Sequence, residues 1–195
     1  MGLPRQWNEI TTEMYQKIYP IAISTEYESE IEKLIDIAGA LNESALNELP
    51  IGGLKHLKFL LHPESIVNTI PKAFTFKGKI YRTETEIQNI KGGQYIDLTS
   101  YTSDADKIIP NLHYLIAIMT SEVNWFGFKK KYSGEAMIKR AELFKKLPIT
   151  ITYPLCVFFC QNLENSILTM QYYLTEQAEL QVRKLNHSLK HLDGL

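Results

Sequence analysis

Five short stretches hold residue types at spacings that chemistry can use. KGGQYIDLTSY, residues 91–101, places a lysine and two glycines before a helix-forming run. A phosphate-cradling loop needs GxxxxGK followed by Ser or Thr, and a dinucleotide loop needs GxGxxG after a strand. Here Lys91 precedes Gly92 and Gly93, and the lead-in TETEIQNI is no apolar strand. The stretch therefore predicts a helix start, with Asp97 favourably placed in the first turn and Tyr95, Ile96 and Leu98 turned to the core.

HSLKH puts His187 and His191 one helical turn apart, a spacing that can grip a metal. It lacks the glutamate of HExxH and a third ligand, so no metal site is expected. Cys156 and Cys160 in CVFFC share a helix face. Their spacing suits a disulfide poorly, and two small apolar core residues are the expectation. Asp104 and Asp106 in TSDADK look like a DxD pair, but Ser, Asp and Thr at this density more often cap helices. His113, inside an apolar run, reads as a hydrogen-bonded core residue, and an enzymatic site around Asp104, Asp106 and His113 is the weaker alternative. WFGFKKKY joins Trp125, Phe126 and Phe128 to three lysines, a pairing of rings and charge that can hold single-stranded nucleic acid, but three lysines in one loop are more often simply solvated. No GxSxG elbow or cysteine in an electropositive turn occurs, and neither enzyme activity nor a cofactor is expected.

These residues must be positioned by elements that the hydrophobic spacing outlines. Thr11 or Thr12 caps a short helix through Tyr19, stopped by Pro20. Thr25 and Glu28 make a capping box before a stripe of Ile31, Leu34, Ile35, Ala38 and Leu41. Asn42 caps ESALNEL, and Leu54, Leu57, Lys58 and Leu61 predict another helix ending near Pro63. Residues 62–72 read as a loop. FTFKGKIYR then alternates apolar and polar positions about Gly78, the signature of a hairpin at about residues 74–82. From Ile90 onward the pattern is helical: the run from Gly92, a core helix over NLHYLIAIMT at 111–120, a loop at 125–134, an amphipathic helix to Leu147, and an apolar run from Leu155. Ala178, Val182, Leu185, Leu189 and Leu192 close the chain with a two-heptad seam.

The expected fold is thus mainly α: a helical domain with one small β-hairpin and a C-terminal amphipathic helix. An N-terminal helical segment, 1–62, and a hairpin plus helical core, 73–174, form one domain, and 175–195 form an interaction helix. With 195 residues and 45% hydrophobic content, the chain can bury a core without staples. A net charge of −1 argues against a polyanion binder. No run of 18 apolar residues and no secretory leader are evident, and Gln6 stands where a myristoylation signal wants Ser or Thr. A cytoplasmic protein without membrane association is expected.

The order of ITTEMYQKIYPI, SEIEKLIDIAGAL, LNELPIGGLKHLKFL, FTFKGKIYR, IKGGQYIDLTSY, NLHYLIAIMT and RAELFKKLPI resembles small morphogenesis proteins of tailed bacteriophages, above all the tail-assembly-chaperone-like group. The likeness is one of segment order over most of residues 9–160, not of a catalytic motif. It implies a non-enzymatic assembly protein in the host cytoplasm that covers the apolar surface of a tape-measure, tail or connector subunit, or of another copy of itself. The alternative is a virion component: a connector ring, a tail adaptor or an internal cargo protein. The implied contact residues are Trp125, Phe126 and Phe128 together with Ala178, Val182, Leu185, Leu189 and Leu192.

Overall fold

The computed structural model describes residues 2–66, 69–86 and 89–162. The chain divides into two compact units, 1–157 and 158–195. The C-terminal seam from Ala178 to Leu192 and the His187–His191 pair lie outside the described residues. The fold is mainly α with one small three-stranded antiparallel sheet.

Helix α1, Thr12–Ile23, is capped by Thr11, whose hydroxyl accepts from the Met14 N–H at 3.2 Å. It does not stop at Tyr19. Pro20 lies inside the helix. A proline forfeits one backbone hydrogen bond, and the packing of α1, through buried Tyr15 and Ile18, offsets that loss.

Helix α2, Glu30–Glu48, starts four residues after the expected box. Ser29, with Glu32 three positions on, is a second Ser-x-x-Glu pair, and its hydroxyl accepts from the Glu32 N–H. Part of the expected stripe faces inward: Leu34 and Ala38 are buried, joined by Ile37, while Ile31 and Ile35 are 54% and 40% exposed. Asn42 leaves helical geometry and accepts from the Ala45 N–H, so it caps the second half of α2 as expected. The following segment, Ile51–Leu61, is a 3-10 helix rather than an α-helix. Leu54, Leu57 and Leu60 are buried; three residues per turn stacks their three-residue spacing on one face.

Strands β1, Ala73–Phe76, and β2, Lys79–Thr83, form the expected hairpin, with Phe74 opposite Tyr81. Lys77 and Gly78 both have positive φ, +49° and +73°, as a two-residue turn matched to strand twist requires. A third strand, β3, Thr120–Val123, pairs antiparallel with β2. It interrupts the expected run of helices after Ile90.

Helix α3, Gly92–Thr102, begins at the glycine pair, where the Gln94 side chain accepts from the Lys91 N–H and donates to the Ile118 carbonyl. Of its expected core residues only Leu98 is buried. Tyr95 and Ile96 are exposed, and Gln94 takes an inward position instead. Helix α4, Leu112–Met119, is buried along its inner length and packs most closely on α5, Gly134–Phe144. Phe74, Tyr81 and Phe144 meet ring to ring at 5.0–5.8 Å, which fastens the sheet to α5.

The start of α1 docks on the chain just after α5. The Thr12 N–H donates to the Leu147 carbonyl, the Glu13 N–H to the Lys145 carbonyl, and the Ile149 N–H to the Ile10 carbonyl. Two orphan donors of one helix start thus meet carbonyls just past another helix end. Residues 149–157 continue as a helix, with Cys156 buried.

Candidate partner-binding site

The register Ile80↔Val123 sets where β3 ends. The chain then turns through residues 124–128 and comes back alongside β3, with a bridge Val123↔Lys129 and the Lys130 N–H donating to the Glu122 carbonyl. Residues 124–128 are therefore the tip of a finger rather than an open loop. Asn124 closes it: its N–H donates to the Phe128 carbonyl at 3.0 Å, and its side-chain oxygen accepts from the Phe128 N–H at 2.9 Å. Gly127, at φ +81°, supplies the left-handed residue the turn needs.

This frame shows three large rings to solvent. Trp125 is 97% exposed, Phe126 80% and Phe128 70%. On the neighbouring strand Ile80 is 52% exposed. Isolated exposed apolar side chains are ordinary, but three exposed rings on five residues of a braced turn are a denser apolar display than that.

The base of the finger is charged and anchored. Lys129 pairs with Glu84 at 2.5 Å, and Glu122 pairs with both Lys130, at 2.6 Å, and Lys79, at 3.1 Å. The hydrogen bond from Lys130 leads the causes that hold the Glu122 carboxyl below the usual carboxylate range. The Tyr132 hydroxyl donates to Asp97 of α3, and burial ahead of that carboxylate raises the tyrosine. No family model, curated protein or solved structure matches this chain.

Asp104 and His113 have bonding partners within the fold. The Asp104 side chain accepts from the Asp106 N–H, capping a short 3-10 turn at Ala105–Lys107, and lies 3.6 Å from Lys107. His113 is 5% exposed, and its Nδ1 lies 3.0 Å from the Gln16 side-chain nitrogen. That nitrogen also donates to the Ile109 and Pro110 carbonyls, which fixes it as the amide end and uses both of its N–H donors. Burial, then the charge of Lys145, push the imidazole down to about 4. No group of three His, Cys, Asp or Glu is placed to hold a metal among the described residues, and no described helix is long and apolar enough to cross a membrane.

A cavity of about 300 Å³ at the finger's base, bounded by Lys79, Glu122, Lys130, Lys131, Lys139 and Arg140, escaped the sequence reading. Only the KKKY run hinted at it; Lys79, Lys139 and Arg140 come from β2 and α5.

Proposed function

We propose that this chain is a non-enzymatic assembly protein of a tailed bacteriophage that covers an apolar surface on a tail structural protein, in the manner of a tail-assembly chaperone. The observation that carries the reading is the finger: Trp125, Phe126 and Phe128 held outward by the Asn124–Phe128 clasp. Apolar rings on a braced turn give up little conformational entropy when covered, and aromatic anchors of this kind dominate binding energy at interfaces. The order of sequence segments supplies the phage assignment, with the tape-measure protein as first candidate partner and a connector or tail subunit as the next.

The test is co-expression of the full chain with the tape-measure protein of the same phage, with and without residues 175–195 and with the three finger rings changed to serine. Loss of co-purification in the finger variant, with an unchanged melting profile, is the expected result. Association that survives both changes would overturn the reading. Mass spectrometry of mature particles decides whether the chain leaves: stoichiometric presence would mark a virion component instead.

A further inference from the structure

The cavity at the base of the finger brings five cationic side chains together with one carboxylate. Lys79 comes from β2, Lys130 and Lys131 from the chain returning from the finger, and Lys139 and Arg140 from α5; Glu122 of β3 is the acid. Glu122 spends one oxygen on Lys79 and the other on Lys130. Lys139 reaches an exposed Glu135 outside the cavity. Lys131 has no hydrogen bond or ion pair among the described residues. Arg140 is half-buried and gives Nε and one Nη2 proton to the Ala117 carbonyl at 3.1 and 2.6 Å, with no ion pair to any described carboxylate. Three of its five N–H donors remain. The one acid in the pocket that acts on the partly desolvated Arg140, Glu122, is already shared between two lysines, so a further anion would be favoured there.

We propose that this pocket receives the side-chain carboxylates of an acidic segment in the same protein partner whose apolar surface covers the aromatic finger. The inference rests on the assembly reading above and adds the charge character of the partner. Four features favour carboxylates on a protein. The guanidinium fork matches a carboxylate in two-point contact. The pocket already holds one carboxylate, Glu122, between two lysines, so its cations are spaced for that group. That same internal carboxylate repels a phosphate dianion more than a single carboxylate. The cations converge on one pocket instead of tracking along a groove, as binding of a nucleic-acid strand requires. Lys130 and Lys131 follow Phe128 within three residues, so ring and charge contacts can be met by one continuous segment.

Calorimetric titration of the full chain at low salt tests this. The probes are a leucine-bearing synthetic peptide with glutamate-rich flanks, the same peptide with lysine flanks, sodium tripolyphosphate, and an oligo-dT strand. The glutamate peptide should bind best, and the double variant Lys131→Glu, Lys139→Glu should weaken it by roughly tenfold or more. Both lysines are exposed, so an unchanged melting profile is expected and is measured alongside. Changing the three rings to serine should weaken binding of the glutamate peptide as well. If the ring variant loses binding and the charge variant does not, the pocket inference falls and the assembly reading stands. If neither variant changes binding, both fall. Tighter binding of tripolyphosphate or oligo-dT than of the glutamate peptide, or no binding by any probe, overturns the pocket inference.

Discussion

Asn124 and Phe128 clasp each other through both the backbone and a side chain: Asn124 donates its N–H to the Phe128 carbonyl at 3.0 Å and accepts the Phe128 N–H on its amide oxygen at 2.9 Å. That pair closes five exposed residues into a turn braced at both ends. Asn124→Ala removes the side-chain bond and should cost about 1 kcal/mol of local order. Backbone NMR order parameters at residues 125–127 should drop, while the unfolding midpoint moves little. Unchanged order parameters would show that the backbone bonds and Gly127 suffice.

The hairpin turn carries a correctable strain. Lys77 sits at φ +49°, a conformation that asparagine adopts far more readily than lysine. Lys77→Asn should stabilise the chain by about 0.5 kcal/mol in urea unfolding. Destabilisation would mean that the lysine's approach to the Phe76 ring, 6.0 Å from its centroid, outweighs the backbone preference.

Tyr15 is fully buried, and its hydroxyl has no hydrogen-bond partner among the described residues. Burial raises its pKa far above the ordinary value. Removing an unsatisfied buried hydroxyl recovers desolvation cost, so Tyr15→Phe should leave the chain as stable or stabilise it by about 1 kcal/mol. A loss of comparable size in thermal or urea unfolding would show that the hydroxyl is satisfied in solution.

His113 predicts the sign of an acid response. Its imidazole titrates at about 4 in the folded chain against an ordinary 6.5. Between those values the unfolded chain binds a proton that the folded one excludes, so stability is complete above 6.5 and falls as pH drops towards 4. The loss should reach at most about 3 kcal/mol. Urea titrations across that window on the protein and on His113→Gln check it; the variant should lose this part of the slope. Equal slopes would place the acid sensitivity elsewhere.

These relationships differ in how far the sequence alone revealed them. The hairpin was legible because Phe74, Phe76 and Ile80 alternate about a glycine, the residue that takes the positive φ of a tight hairpin turn most readily. Asn42 and Asp104 were legible as caps because their side chains act within three residues. β3 was not: TSEV follows an apolar helix without Gly or Pro between, and only pairing with β2 makes it a strand. The face of α2 was legible in part: Leu34 and Ala38 are buried, but Ile31 and Ile35 fit the helical period as well as Ile37 does, and tertiary packing chose Ile37. Two Ser/Thr-x-x-Glu pairs competed to start that helix, and local pattern ranks them equally. The three aromatic residues were legible as a cluster from their adjacency, while the clasp that turns them outward and the cations that gather beneath them depend on β2, β3 and α5 meeting.

The most direct measurement is the binding of the full chain to the tape-measure protein of the same phage, followed by calorimetry or size-exclusion after co-expression, with Trp125, Phe126 and Phe128 all changed to serine. The three rings are largely exposed, so folding stability should stay within about 0.5 kcal/mol, while affinity should fall by at least about 100-fold, as loss of clustered aromatic anchors does. Unchanged affinity in a stable triple variant would contradict the account.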